Sequence, residues 1–193
     1  MKIAVSIFTL FLFYSCNSID QKSQLGTELT GLTGKSGQSG VFNQSFKNLL
    51  STYYQLKDQF ITEDITAINS GSKLLLQAID SLHIYEFNGA TTMKSTAQSY
   101  IDGISSEING LLGETDLESK RKSLQMISEQ LYDLVRTVQY DQEVVYHEYC
   151  PMAFNNEGAT WLSNTSIISN PYLPKKMLTC GEVRDSIDFR RKQ

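Results

Sequence analysis

The chain has 193 residues, with 17 Lys and Arg against 21 Asp and Glu, giving a net charge of −4. That length supports one core with an appendage, and an apolar fraction of 40% with ten Tyr and nine Phe excludes both a disordered chain and a polytopic membrane protein. The acidic balance argues against non-specific nucleic-acid binding, which needs a basic surface to displace counterions, so no nucleic-acid partner is expected.

In chain order, Met1 and Lys2 precede an apolar run from Ile3 to Tyr14. Twelve helical residues rise only about 18 Å, short of the roughly 30 Å hydrocarbon core, so residues 1–15 read as a secretory signal peptide. Cys16 follows Ser15 and resembles the cysteine of a bacterial lipobox, which is lipidated on sulfur and becomes the new N-terminus. Phe13 and Tyr14 depart from the usual lipobox residues, and ordinary cleavage near Ser15 is the alternative. Residues 16–41 interleave Gly26, Gly31, Gly34, Gly37 and Gly40 with Ser, Thr and Gln. Such a stretch buries too little apolar surface to offset its ordering entropy and reads as a flexible tether. The expected location is the cell envelope, with a membrane anchor through the N-terminal lipid at the outer membrane, facing the periplasm.

Residues 42–140 contain no proline, which permits long helices. Four stripes at helical spacing predict an antiparallel four-helix bundle, a mainly α fold. They are Phe46, Leu49, Leu50, Tyr53, Tyr54; then Ile65, Ile68, Leu75, Ile79, Leu82; then Met93 through Leu112; then Leu117 through Val138. Connections are expected at 59–62, 85–92 and 113–115, with Thr62 as an N-cap and Thr115 with Glu118 as a capping box. Gly71 and Gly103 interrupt the pattern at about 1 kcal/mol each against Ala. Met93 and Met126 are expected to be core packing, and His83 structural or solvent-facing. The paired Glu-x-x-His pattern of di-iron helices is missing.

Residues 141–187 read as a small irregular or β cap on the bundle, and 188–193 as a charged tail. Val144 to Tyr149 favour an extended segment that Pro151 ends, Asn155, Asn156 and Gly158 a turn, Ala159–Ser163 a short run around Trp161, and Asn170–Pro174 another turn. Beyond Gly181 the chain reads as charged and solvated, with Arg184, Arg190, Arg191 and Lys192. Cys150-Pro151-Met152 gives Cys-x-Met, Met177-Leu178-Thr179-Cys180 gives Met-x-x-Cys, and His147 lies three residues before Cys150. Thiolate and thioether are soft donors that favour copper(I) and similar ions over Mg²⁺ or Ca²⁺. Cys150, Met152, Met177 and Cys180 are therefore the expected metal ligands, with His147 as a weaker fifth. The alternative is one disulfide closing a loop of about 31 residues, worth roughly 3–4 kcal/mol in the chain-entropy account. Catalysis is not expected. His147 and Cys150 point to opposite faces of an extended strand, and no nucleophile elbow, phosphate loop or dinucleotide fingerprint occurs.

The strings YCPMAFNNEGATWLS, NPY and KKMLTCGEV, with the helical segments YYQLKDQF and SLQMISEQLYDLV, resemble a domain of unknown function from Gram-negative bacteria. The resemblance spans roughly Phe42 to Ile187 and is sharpest from Tyr149 to Val183; Leu173-Pro174 stands where members commonly have glycine. That domain occurs alone in exported or lipid-anchored proteins. It also occurs fused to periplasmic adaptor subunits of copper- and silver-type heavy-metal efflux pumps. The resemblance implies a lipoprotein that binds copper(I) or a similar soft ion, with efflux-pump components as possible partners. A structural or protein-interaction lipoprotein module with a Cys150–Cys180 disulfide remains the alternative.

Overall fold

The computed structural model describes residues 36–190. The signal peptide, Cys16, most of the tether, and Arg191 and Lys192 lie outside the described residues. Helix α1 (Gly40–Thr62) begins within the stretch assigned to the tether. Ser39 Oγ accepts from Phe42 N–H at 3.1 Å and caps the helix. Ser36 Oγ donates to Asp141 at 2.8 Å and Gln38 Oε1 accepts from Asn88 N–H at 2.9 Å, so residues 36–39 are fastened down. Composition misleads here because Ser is equally at home in a linker and in a helix cap.

The first stripe is buried as expected, joined by Phe42 and Phe60. Thr62 does not cap the second helix; its hydroxyl donates to Gln59 O at 2.8 Å within α1. Asp64 caps α2 (Ile65–Asp80) by accepting from the N–H groups of Thr66 and Ala67, and its charge suits a helix N-terminus. The turn is thus Glu63–Asp64, with Glu63 in the left-handed region at φ 59°. A 3-10 turn at Ile84–Glu86 leads to α3 (Thr91–Gly113) and then α4 (Leu117–Val138). Asp116, one residue past the expected Thr115, accepts from Ser119 N–H at 2.9 Å and caps α4. A Cβ on Gly71 would stand 1.9 Å from Gln59 Oε1, and one on Gly103 1.9 Å from Gln130 Oε1. These glycines admit glutamine side chains from the neighbouring helix. Met93 packs against the core as expected, but Met126 is 44% exposed.

The helices pack in series, α1 on α2, α2 on α3, α3 on α4. Lys120 of α4 is fully buried, donating to Asn69 Oδ1 at 2.9 Å and Leu111 O at 2.7 Å. It ties α4 to α2 and satisfies a carbonyl in the last turn of α3, and burial pushes its ammonium pKa down. No helix among the described residues is long and apolar enough to cross a membrane.

The C-terminal part is a three-stranded antiparallel sheet, β1 (Val145–Cys150), β2 (Ala159–Ser163) and β3 (Glu182–Ile187), in the order β2-β1-β3. Strand β3 lies inside the cap assigned to residues 141–187, in the stretch beyond Gly181 that reads in sequence as charged and solvated. Only Ile187 of β3 is buried, so the strand has no apolar alternation to announce it, and its charges suit an edge. Arg184 is the extra residue of a bulge opposite His147 and Glu148, and its guanidinium lies over the Tyr149 ring. Strand β2 is buried along its whole length and packs on α4. Leu162 N–H donates to Tyr53 Oη at 3.0 Å. Tyr53 in turn donates to Ser128 Oγ at 2.7 Å, because Ser128 gives its own proton to Leu124 O at 2.6 Å. This chain joins sheet, α1 and α4, and burial pushes the Tyr53 phenol pKa up.

Candidate functional site

Cys150 is the last residue of β1 and is fully buried. Pro151 has no N–H to extend the ladder, and Met152 turns outward, 43% exposed. Phe154, Asn155 and Asn156 then follow at φ 50°, 58° and 74°. Asn tolerates this left-handed region; Phe does not, at a cost on the order of 1–3 kcal/mol. Phe154 is held there by its ring contact with Tyr172, 5.4 Å between centroids, and by Gly158 N–H donating to Ala153 O at 3.0 Å.

Cys180 arrives from the other end of the cap. The single helical turn Pro174–Met177 starts on a proline, and Cys180 N–H donates back to Met177 O at 3.0 Å. Buried Asn170 fastens this segment. Its N–H donates to Leu178 O at 2.8 Å and its Nδ2 to Cys180 O at 3.0 Å, while its Oδ1 accepts from Tyr172 N–H at 2.8 Å and Leu173 N–H at 3.3 Å. At Gly181, φ 149°, a Cβ would stand 2.8 Å from Tyr149 O, so glycine is required where the chain enters β3. The register that pairs Tyr149 with Glu182 then sets Cys150 beside residues 180–181.

Cys150 Sγ and Cys180 Sγ stand 3.3 Å apart, and both thiols are free. A disulfide needs about 2.05 Å. Two sulfurs on one tetrahedral ion with bonds of about 2.3 Å would stand about 3.8 Å apart. The pair lies between these limits. The hydrogen bond shared with Cys150, and then burial, push the Cys180 thiol pKa up. Met152 lies two residues past Cys150 and Met177 three residues before Cys180, and both methionines are exposed, whereas Cys150 is buried and Cys180 half-buried.

His147 is placed elsewhere. Its ring stacks on Tyr132 of α4 at 4.1 Å, and the Tyr132 hydroxyl donates to Asp185 at 2.8 Å. Three residues along a strand is about 10 Å, on the opposite face from Cys150. The His147 Nε2 is buried without a partner, and burial pushes the imidazole pKa down, favouring the neutral form. Among the described residues, no three His, Cys, Asp or Glu side chains converge so as to hold a metal ion.

Two residues of the site region stand outside the sulfur pattern. Asn170 is signalled only by the turn-forming Asn-Pro pair. Glu148, two residues before Cys150, is fully buried opposite Trp161 of β2. Burial pushes its pKa up to about 7; the Trp161 N–H and Lys57 pull the other way. The indole is close enough to act on the carboxylate yet outside hydrogen-bond geometry, so both Glu148 oxygens and Trp161 Nε1 stay unpartnered.

Glu63, in the α1–α2 turn, holds the cap segment in place. It accepts from Arg121 Nη2 at 2.8 Å and pairs with Lys175, while Arg121 Nε donates to Pro171 O at 3.2 Å. The bonds from Lys175 and then Arg121 hold the Glu63 carboxyl pKa below its ordinary value. A carboxylate with a lowered folded pKa stabilises above its unfolded pKa of 4.5 and loses that contribution as pH falls. Glu63→Gln is expected to cost about 1–2 kcal/mol at neutral pH, since it removes the negative charge facing Lys175 and the largely buried Arg121, and to flatten the acid limb of a stability–pH curve measured by urea unfolding.

Fold and site together define a mainly helical domain closed by a small antiparallel sheet that carries a dithiol. Residues 49–143, just under half of the chain, match the family model described as Protein of unknown function (DUF3347). The matched span runs from α1 through α4 and ends before β1, so the sulfur residues lie beyond it. No curated protein and no solved structure matches the chain.

Proposed function

We propose that this chain is an exported protein, lipid-anchored through Cys16, that binds copper(I) or another soft ion for sequestration or for handover to a heavy-metal efflux system. In this reading the helices form an antiparallel four-helix bundle that serves as a scaffold, and the cap is the working part; no catalytic step is invoked. The observation that carries it is the approach of Cys150 and Cys180, thirty residues apart in sequence, to 3.3 Å, with a methionine two or three residues along the chain from each. Thiolates with thioether support suit a soft monovalent ion that accepts few ligands. His147, on the far face and stacked on Tyr132, has no ligand role here.

Ligands must be deprotonated to bind, so affinity is expected to rise with pH and uptake to release protons. The reduced chain should take up one equivalent of copper(I) against a competing chromophoric chelator. Cys150→Ser with Cys180→Ser should weaken uptake by more than about 100-fold, beyond the 10–100-fold usual for loss of an outer-shell partner. Met152→Leu with Met177→Leu should weaken it less and speed release. Equal uptake by the reduced chain and the double serine variant would rule the proposal out. In that event the structural alternative, a lipoprotein module with a permanent disulfide, takes its place.

A further inference from the structure

We infer that Cys150 and Cys180 form a redox gate on this site: Cys180 exchanges with an external disulfide, Cys150 closes the bridge, and closure removes the capacity for a soft ion. The chemistry rests on the sulfur geometry alone; its consequence rests on the metal-binding proposal above.

The two sulfurs differ in access. Cys150 is fully buried at the end of β1, whereas Cys180 is half-buried, where the chain passes from the Pro174–Met177 turn to β3. Exchange requires a thiolate to reach a disulfide sulfur, so only Cys180 is placed to meet a bulky partner. Its thiolate attacks one sulfur of the external disulfide, forming a mixed disulfide and expelling one thiolate of the partner. Cys150 then attacks Cys180 Sγ, and its proton passes to the second partner thiolate as that is expelled. The pair loses two electrons and two protons, and the external disulfide gains them as two thiols.

The second step needs little movement. At 3.3 Å, Cys150 Sγ must travel only about 1.3 Å to reach bonding distance. Asn170 and the β1–β3 register already fix both backbones, so no loop has to be ordered to bring the sulfurs together. Metal capture demands the opposite displacement, opening the pair to about 3.8 Å around an ion. Bridged sulfurs carry no thiolate charge, and the neutral thioethers of Met152 and Met177 make a poor site alone. The same two atoms therefore serve one fate at a time.

The test uses the chain with Cys16→Ser, which leaves these two as the only thiols, and oxidised glutathione as the external disulfide. Intact mass should fall by about 2 Da with no retained glutathione. Adding Cys150→Ser should trap one glutathione on Cys180, while adding Cys180→Ser should leave Cys150 unmodified on the same timescale. After desalting, the oxidised protein should have lost its copper(I) equivalent and a reductant should restore it. The gate is overturned if no bridge forms while the urea-unfolded chain oxidises, if Cys150 is modified as fast as Cys180, or if the oxidised protein binds as the reduced one does. Failure of the reduced protein to take up copper(I) overturns the metal-binding proposal and the gate's consequence together, and the mass spectra separately report whether the pair exchanges.

Discussion

Replacing Asn170 by Ala is expected to lower folding stability by about 3 kcal/mol, since each buried polar group left unpartnered costs about 1–3 kcal/mol. The substitution takes the acceptor from Tyr172 N–H and Leu173 N–H and the donor from Cys180 O. Of these, Tyr172 is the most deeply buried, with its hydroxyl donating to Thr160 O at 2.6 Å. The Pro174–Met177 turn buries no residue, so the segment from 171 to 180 is ordered by Asn170 together with buried Tyr172 and the contacts of Glu63 and Arg121 with Lys175 and Pro171. Urea unfolding measures the loss, and alkylation of Cys180 should accelerate because its carbonyl is no longer tethered. A change below about 1 kcal/mol, the net worth of one ordinary hydrogen bond, would show that Asn170 does not organise the segment.

The second large effect is a fall in stability as pH rises, centred on Glu148. Its carboxyl has a folded pKa of about 7 against an ordinary 4.5, raised chiefly by burial. Between these values the native state keeps a proton that the unfolded chain releases, so stability declines with pH across the window and the loss is complete above about 7. A difference of two to three pKa units corresponds to about 3 kcal/mol at 1.36 kcal/mol per unit. The facing groups are Lys57, itself paired with Asp58 at 2.6 Å, Tyr53, and the indole of Trp161. His147 acts with the opposite sign: its folded pKa is lowered, so the unfolded chain binds the extra proton and stability rises through the same region. The difference between wild type and Glu148→Gln therefore isolates the carboxyl. In metal-free protein the variant should match wild type near pH 4.5 and exceed it by about 3 kcal/mol at pH 8. Parallel curves across this range would show that Glu148 is not held protonated by its surroundings.

Much of the helical part is legible residue by residue. Phe46, Leu49, Leu50 and Tyr53 lie buried on α1, and Leu124, Ile127, Leu131, Leu134 and Val138 on α4, as helical spacing predicts. The helix ends are less so. Asp64 and Asp116 cap where Thr62 and Thr115 are also plausible, and only the local backbone decides which side chain meets the free N–H groups. Met126 shows that an apolar side chain near a stripe need not be inside it. Strand β3 is hidden for a different cause. An edge strand with one buried residue is stabilised by its backbone ladder to β1, and backbone hydrogen bonds leave no mark on side-chain pattern.

The candidate site divides along the same line. By itself the sequence determined which donors exist, two cysteines each with a methionine nearby, and that a proline-free run of apolar stripes would form long helices, because side-chain chemistry and 3.6-residue periodicity are local properties. Strand alternation already set His147 on the face away from Cys150. Only the tertiary structure decided that Cys150 and Cys180 meet, that His147 stacks on Tyr132, and that a carboxyl and an amide, Glu148 and Asn170, are buried around them. Those outcomes depend on the register of β1 against β3 and on the packing of the sheet over α1 and α4. Such contacts join residues far apart in sequence, and no local pattern encodes them.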